Sequence, residues 1–163
     1  AMNTDKILIA YDGSDNAQRS VAYVAAMVGP IGGRQVDVAA IERPADRDLF
    51  ADDAAWKAEC QRRNAAMRDA LDQARAMLVA AGIPDDKVGT RFVESCRSPL
   101  REASECSIGT SIALEVLRLA EEGGYGTVVV GRRGVSKQEE FLFGSVSTKI
   151  IHAAKGLAVW VVA

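Results

Sequence analysis

A single histidine, His152, limits the chemistry available to this chain of 163 residues. A Ser-His-Asp or Cys-His nucleophile system needs a histidine base beside the nucleophile. His152 falls in a predicted helix beyond a glycine-rich loop, where a histidine on the helix surface is favoured over a catalytic one. No group of His, Asp and Glu residues has the spacing of a metal site. The sequence therefore predicts neither catalytic residues nor a set of protein metal ligands.

Cysteine is also scarce. The three cysteines, Cys60, Cys96 and Cys106, are odd in number, and none belongs to a CxxC pair that would indicate zinc or redox chemistry. Cys96 and Cys106 lie in one polar segment, so two interpretations are open, a redox pair and two ordinary thiols, and the thiols are favoured. Reduced thiols are the default in the cytoplasm, which is where we expect the protein to act.

Long apolar runs and an excess of one charge are absent as well. No run approaches about 18 apolar residues, and the first residues lack a basic segment followed by an apolar one, so neither a membrane span nor a signal peptide is predicted. A formal net charge of −2 gives no reason to expect binding to nucleic acid or to an anionic membrane. Hydrophobic content of 48% and charged content of 26% are typical of one globular domain.

The chain instead shows five short apolar runs that alternate with four amphipathic segments. In the first of these segments, Val21, Val24 and Val28 recur at helical spacing, and Ser14 or Asp15 is the expected N-cap. Such alternation predicts an α/β fold, in which helices cover both faces of a parallel sheet. The predicted strands are 6–11, 35–41, 87–94, 128–130 and 157–162.

The fourth strand leads into a loop with the spacing G-x2-G-x9-G-S, formed by Gly131, Gly134, Gly144 and Ser145. A helix is predicted to begin at the end of this loop. Glycines let a backbone approach an anion, and a helix N-terminus offers unpaired N–H groups, so the arrangement suits phosphate. Neither the Walker A pattern nor GxGxxG occurs in the chain. Glycines that merely end a strand and start a helix are the alternative, but four positions in register favour phosphate binding.

This spacing closely resembles the nucleotide loop of the ATP-binding universal stress protein family. The stretch ILIAYDGSDNAQRSV (7–21) likewise resembles the usual opening of those proteins. The resemblance covers residues 3–163 as a single domain and implies an open, Rossmann-like parallel sheet with strand order 3-2-1-4-5. Segment 95–110 departs from the family as an atypical insert. We expect its middle, 99–106, to form a turn or two of helix.

The resemblance also implies which residues bind the nucleotide. Asp12 would contact its adenine side, although an aspartate that caps a turn is an equal alternative. The implied ligand is ATP, and Mg²⁺ can enter with it, held by phosphates and one or two carboxylates, with Asp12 as a candidate. Arg132, Arg133 and Lys137 face either the phosphates or water. The implied nucleotide-binding residues are Asp12, Ala40 and Ile41 (the last two through their backbone), Val130, Gly131, Arg133, Gly134, Gly144, Ser145, Val146 and Ser147.

Two classes of function fit these residues. The first is a regulatory, stress-response module of the universal stress type, whose bound nucleotide stabilises a conformation that partners recognise, with at most slow ATP hydrolysis. The second is an enzyme on a similar fold that cleaves the α–β bond of ATP to adenylate a substrate. Such an enzyme should carry an SGGxxS-type loop after its first strand, and DGSDNAQ is not one. A dimeric module without nucleotide binding is disfavoured because the glycine pattern is intact.

The last predicted strand begins at Leu157, ends at Val162 and carries no charge. An apolar sheet edge with unpaired N–H and C=O groups invites aggregation unless something covers it. Pairing with the same strand of a second copy would cover both edges by two-fold symmetry, and universal stress proteins are similar in commonly dimerising this way. We therefore expect a homodimer. Trp160 would lie near the pair axis or, as the favoured alternative, pack inward against the fourth helix.

Overall fold

The computed structural model describes residues 2–109, 111–132 and 145–163, with only the backbone of Ser145. Four residues that the sequence analysis named in the glycine loop, Arg133, Gly134, Lys137 and Gly144, lie outside the described residues, as does the hydroxyl of Ser145.

A five-stranded sheet with strand order β3-β2-β1-β4-β5 organises the described structure, and every neighbouring pair of strands is parallel. The predicted α/β fold and its strand order are thus confirmed. The strands are β1 (Lys6–Ala10), β2 (Gln35–Ile41), β3 (Val88–Val93), β4 (Thr127–Gly131) and β5 (Ala158–Val162). The helices are α1 (Asp15–Val28), α2 (Asp53–Ala80), α3 (Ile112–Glu122) and α4 (Ser145–Ala153), with short 3₁₀ turns at Arg47–Leu49 and Asp85–Lys87.

Two hydrophobic cores lie on the two faces of the sheet. Ile7 and Ile9 of β1 pack with α1 and α2 on one face, whereas Leu8 packs with α3 and α4 on the other. Successive strand residues point to opposite faces, and a strand covered on both faces is apolar throughout its length. The nearly continuous apolar runs of the sequence have this cause. Within the described ranges, no helix has the length and apolar composition that crossing a membrane requires.

Helix α1 begins where its sequence predicts. The Ser14 side chain accepts a hydrogen bond from the backbone N–H of Ala17 (3.2 Å), so Ser14 is the N-cap and Asp15 lies in the first turn. At the other end, Gly29 lies against the last turn of α2. A Cβ at Gly29 would lie 2.4 Å from the carbonyl oxygen of Ala81, so only glycine allows the two helices to approach there.

Trp160 on β5 packs in a direction that the sequence did not predict. Its ring makes an edge-to-face contact with Tyr23 of α1, with ring centroids 6.1 Å apart. The favoured expectation, packing against α4, is therefore wrong, because position 160 points to the face of the sheet that α1 and α2 cover. Whether Trp160 also lies near a dimer axis stays a prediction.

The insert contains no helix in its described part, 95–109, so the helix expected over 99–106 is wrong. The two ends of the insert instead run side by side and form a bridge between Ser95 and Ser107. The Glu94 carboxylate accepts hydrogen bonds from the backbone N–H groups of Glu102 (2.9 Å) and Ala103 (3.0 Å). A helix would direct these donors to carbonyls one turn earlier in the chain, and the glutamate takes them instead.

Cys96 and Cys106 form a disulfide, with Cα atoms 5.0 Å apart. The expectation of two ordinary thiols is therefore wrong. The bridge at Ser95 and Ser107 brings the neighbouring cysteines together, and their Cα separation lies within the range of natural disulfides. Cys60 is a buried free thiol on α2. The cytoplasmic location stays a prediction and loses one of its grounds, the reduced state of these two cysteines.

Candidate functional site

A cavity of about 550 Å³ opens at the carboxyl ends of β1, β2 and β4. We call it the sheet-edge cavity. Ligands of open α/β sheets bind at this edge, where the connections leave neighbouring strands in opposite directions. Its lining includes residues that follow β1, the ends of β2 and β4, and the first turn of α4. Those named by the sequence analysis are Asp12, Ile41, Val130, Gly131, Val146 and Ser147.

Ala40 is a predicted site residue that does not line the sheet-edge cavity. Its side chain is fully buried in the core beneath α1 and α2, whereas the neighbours Ala39 and Ile41 line the cavity. Side chains alternate along a strand, so Ala39 and Ile41 point to the face opposite Ala40. Only the backbone of Ala40 was implied as a contact, and that contact stays a prediction.

Asp12 lines the cavity and also forms a local turn. Its Oδ1 accepts a hydrogen bond from the backbone N–H of Ser14 (2.9 Å), which leads into α1. Both interpretations of Asp12, as a turn residue and as a cavity residue, are thus compatible. Beside it, the Tyr11 side chain is buried, and its backbone N–H donates to the Ala39 carbonyl (2.8 Å). Burial, and then the negative charge of Asp12, raise the pKa of Tyr11, so its hydroxyl stays protonated.

Gly131 lines the cavity, and packing requires a glycine at this position. A Cβ at this position would lie 2.7 Å from the backbone oxygen of Asn16, in the first turn of α1. Real Cβ atoms do not approach so closely, so the glycine lets the end of β4 lie against α1. The structural interpretation of Gly131 is therefore supported independently of any ligand.

One wall of the cavity comes from α2, a helix that the sequence analysis did not assign to the site. Arg63, Met67 and Ala70 line the cavity at i, i+4 and i+7 spacing on one helix face, and Asn64 lies beside them. This spacing is the signal that marks the wall, although it does not distinguish a cavity from a core. Arg62 and Arg63 both bind Glu59, and their hydrogen bonds, Arg62 first, lower the pKa of Glu59 to about 2.

Glu42, which the sequence analysis missed, lies directly after β2 and is only 6% exposed. One carboxylate oxygen accepts from the Asn64 amide (2.9 Å) and the Ser98 hydroxyl (2.7 Å). The other accepts from the backbone N–H of Ser95 (2.8 Å). Glu42 therefore ties β2, α2 and the insert together at the rim of the cavity.

The chemistry of the lining suits a small molecule with a flat apolar part and a charged part. Apolar side chains such as Ile41, Met67 and Phe92 line the cavity together with a few polar groups, as in most small-molecule sites. Asp12 supplies a carboxylate that can share a cation with phosphates. His152 does not line the cavity and lies exposed in the last turn of α4. Among the described residues, no cluster of three or more His, Cys, Asp or Glu could hold a metal ion.

The family model of the universal stress protein family matches residues 3–163 of this chain. No curated protein matches the chain significantly.

Solved structures of similar fold cover nearly all of the chain. UspA from Lactobacillus plantarum is 16% identical to this chain and has a TM-score of 0.68, and the aligned part includes 100% of this chain and 99% of the UspA chain. A universal stress protein in complex with cAMP is 20% identical, with coverage of 98% and 96% and a TM-score of 0.65. The universal stress protein from Archaeoglobus fulgidus in complex with dAMP is 17% identical, with coverage of 100% and 100% and a TM-score of 0.59. At these identities the likeness shows the fold alone.

Proposed function

This chain belongs to the universal stress protein family, and we propose that it binds an adenine nucleotide, ATP, in the sheet-edge cavity. The bound nucleotide would stabilise a conformation that partners recognise, so that the protein acts as a regulatory module in a stress response. The observation that carries the proposal is the convergence of Asp12, Ile41, Gly131 and Ser147, from four separate segments, on one cavity. Two proteins of similar fold hold cAMP and dAMP, which supports an adenine nucleotide as the ligand class.

The two parts of the cavity suit the two parts of a nucleotide. The base would lie among the apolar residues Ile41 at the end of β2, Phe92 of β3 and Met67 of α2, all of which line the cavity. The phosphates would lie toward the first turn of α4, where Val146 and Ser147 line the cavity. The positive end of the α4 dipole favours an anion there. Mg²⁺, if it enters with ATP, would find its protein ligand in Asp12.

We propose binding and not turnover as the role of this site. Activation of water for phosphate or adenylyl transfer needs a general base within reach of the reacting atoms. No histidine lines the cavity, and the buried carboxylate at its rim, Glu42, is already engaged by three hydrogen-bond donors. Hydrolysis should therefore fall below about 1 s⁻¹, the lower end of the common enzyme range. Phosphate release within that range from purified protein would move the protein to the enzyme class.

The regulatory role also includes the predicted homodimer. In the described structure β5 is an edge strand that pairs with β4 alone. Its side chains are half-buried, and Val161 is 43% exposed. A second copy that pairs along β5 would cover this edge. Light scattering at micromolar concentration should give the mass of a dimer, and a monomer mass would remove the dimer from the proposal.

Mass spectrometry of the small molecules released from freshly purified protein tests the nucleotide itself. We expect an adenine nucleotide in the released fraction. In addition, ATP with Mg²⁺ at about 100 times its Kd should add about 2.7 kcal/mol to the free energy of unfolding. For a chain of this size, that raises the melting temperature by roughly 5–10 °C. If no nucleotide is released and millimolar ATP leaves the melting temperature unchanged, the proposal is wrong.

A further inference from the structure

A second cavity, of about 700 Å³, lies beside the sheet-edge cavity, and we call it the insert cavity. The two cavities share Glu42, Arg43, Ile112 and Val146 in their linings. The remaining walls of the insert cavity come from the connection between β2 and α2, from both ends of the insert, and from the first turns of α3 and α4. The insert thus supplies part of the wall of this cavity.

Cations dominate the lining of the insert cavity. Arg43 and Arg47 come from the connection after β2, Arg97 comes from the insert, and Lys149 comes from α4. Two carboxylates face these four cations, and both already accept hydrogen bonds. The Glu42 carboxylate accepts hydrogen bonds from Asn64, Ser95 and Ser98. The Asp46 carboxylate accepts one from the backbone N–H of Asp48 (3.1 Å). The cavity therefore attracts an anion.

Three of the four cations are available to a ligand. Arg47 binds the Asp53 carboxylate (2.6 Å) and the Phe50 carbonyl (2.9 Å). The exposed side chains of Arg43, Arg97 and Lys149 make neither an ion pair nor a hydrogen bond with any part of the chain that the structure describes. Three like charges from three separate elements around one cavity repel one another unless an anion lies between them.

The wall that carries Arg97 is held in place before any ligand binds. The Cys96–Cys106 disulfide closes the insert next to Arg97, and the backbone N–H of Arg97 donates to the Ser95 hydroxyl (3.1 Å). Ser95 is 3% exposed, and its own N–H donates to the buried Glu42 carboxylate (2.8 Å). A wall that is already ordered loses little conformational entropy when a ligand binds, which strengthens binding.

We propose that the insert cavity binds a polyphosphate group, either pyrophosphate or a longer chain of phosphates. Arginine presents its N–H donors in a planar fork that matches phosphate oxygens, and cations on several sides suit a ligand with several charges. Two sources can supply such a group. One is the polyphosphate tail of a nucleotide in the sheet-edge cavity, and this source rests on the proposed function. The other is a separate phosphorylated small molecule, which does not.

Calorimetric titration of the disulfide-bonded full chain with inorganic pyrophosphate tests the site. The double variant R97Q/K149Q removes two cations from the cavity. Loss of hydrogen bonds to a charged ligand should weaken pyrophosphate binding about tenfold or more. The matched control is K87Q/K155Q, which removes the same charge at exposed positions outside both cavities. It should bind pyrophosphate within about twofold of the unchanged protein. Absence of pyrophosphate binding at millimolar concentration, or equal binding by both double variants, would overturn the proposal.

Competition with nucleotides distinguishes the two sources and separates this proposal from the proposed function. If ATP displaces pyrophosphate and AMP does not, the tail of the nucleotide occupies the insert cavity. If pyrophosphate binds equally well to the ATP-saturated protein, a separate molecule is the ligand. Both results require that R97Q/K149Q weakens pyrophosphate binding. If R97Q/K149Q and the unchanged protein bind AMP equally well and also bind pyrophosphate equally well, the insert site is refuted and the nucleotide site is left intact.

Discussion

Strand β2 carries a buried carboxylate near each of its ends, and the two differ in what surrounds them. Asp37, near the amino end, is 7% exposed and accepts hydrogen bonds from Gln35 (2.9 Å) and the hydroxyl of Tyr125. Glu42, just past the carboxyl end, is 6% exposed and accepts from Asn64, Ser95 and Ser98. Both carboxylates accept hydrogen bonds from several donors, but of the two only Glu42 lines the sheet-edge cavity and the insert cavity beside it.

The amino end of the sheet is closed by close packing. A Cβ on Gly89 would lie 2.1 Å from Asp37 Oδ1, and one on Gly126 would lie 1.8 Å from the carbonyl oxygen of Asn3. Burial, and then the hydrogen bond to Asp37, raise the pKa of Tyr125, which keeps the phenol protonated as the donor. Lys6 covers the ring of Tyr125. Neither the sheet-edge cavity nor any residue of its lining lies at this end.

The carboxyl end is held together by segments that are distant along the chain. The partners of Glu42 come from α2 and from the insert, and the space between these segments forms the two cavities. The comparison indicates that a buried carboxylate stabilises the fold at either end. Such a carboxylate supports ligand binding only where the connections around it are long enough to leave a cavity between them.

Removing the carboxylate at the carboxyl end should have the largest effect. Glu42→Ala leaves the buried N–H of Ser95 without its acceptor and frees two side-chain donors, which should lower the free energy of unfolding by about 3 kcal/mol. It should also weaken ATP binding, because Glu42 positions the shared wall of the two cavities. Urea unfolding and calorimetry measure the two effects. Glu105→Ala, at an exposed position of the insert, is the control and should change neither.

Removing the disulfide should lower the stability slightly less. Of the two cavities, only the insert cavity should lose affinity for its ligand. Cys96→Ser with Cys106→Ser opens a loop closed over a sequence separation of 10, which should cost about 2–3 kcal/mol of stability. Pyrophosphate binding should weaken because Arg97 is no longer held in place, whereas AMP binding should persist. Loss of AMP binding in this variant would show that the two cavities are not separate in function.

The same substitution at the amino end sharpens the comparison. Asp37→Ala leaves the buried Tyr125 hydroxyl without its acceptor and should lower the free energy of unfolding by about 2 kcal/mol. Its affinities for ATP and pyrophosphate should match those of the unchanged protein, because neither the sheet-edge cavity nor the insert cavity reaches this end. Weaker binding by Asp37→Ala than by Glu42→Ala would break the comparison. Asp86→Ala, at an exposed position, controls for the lost charge.

Acid should loosen the insert, at the carboxyl end of the sheet, by a small amount. Hydrogen bonds from the backbone N–H groups of Ala103, and then Glu102, lower the pKa of Glu94 below its usual value of 4.5. The stability that Glu94 contributes is therefore present above pH 4.5 and is lost as the pH falls through the lowered pKa of the folded state. Hydrogen exchange of the amides of Glu102 and Ala103 should accelerate over this range. In Glu94→Gln, this acceleration should be absent.

The parts of the fold that follow a local pattern were predictable from the sequence. The periodic spacing of apolar residues predicted five strands that alternate with helices, and the structure contains these five strands in a parallel sheet. Ser14, one of the two expected N-caps, caps α1. Local patterns could not predict the insert, because its shape depends on hydrogen bonds to Glu42 and Glu94 and on a bond between two cysteines. These contacts join residues that carry no shared periodicity.

The candidate site was predictable where it follows a strand end. Asp12 and Gly131 line the sheet-edge cavity because parallel strands end at the same edge, whereas Ile41, which also lines it, was implied by the family resemblance alone. The wall from α2 was missed, because a helix face with Arg63 and Met67 resembles any amphipathic surface until its distance from the sheet is known. Gly134 and Gly144 lie outside the described residues, so their roles in phosphate binding stay predictions.

The most direct test of the nucleotide site is calorimetric titration of ATP with Mg²⁺ into the unchanged protein and two aspartate variants. Asp12 lines the sheet-edge cavity, whereas Asp15, three residues further along the same turn and helix, does not. We predict that Asp12→Ala weakens ATP binding about tenfold or more, as expected for a lost hydrogen bond to a charged group. Asp15→Ala should bind ATP as the unchanged protein does. Equal affinities of the two variants, or no ATP binding by the unchanged protein at millimolar concentration, would contradict the account.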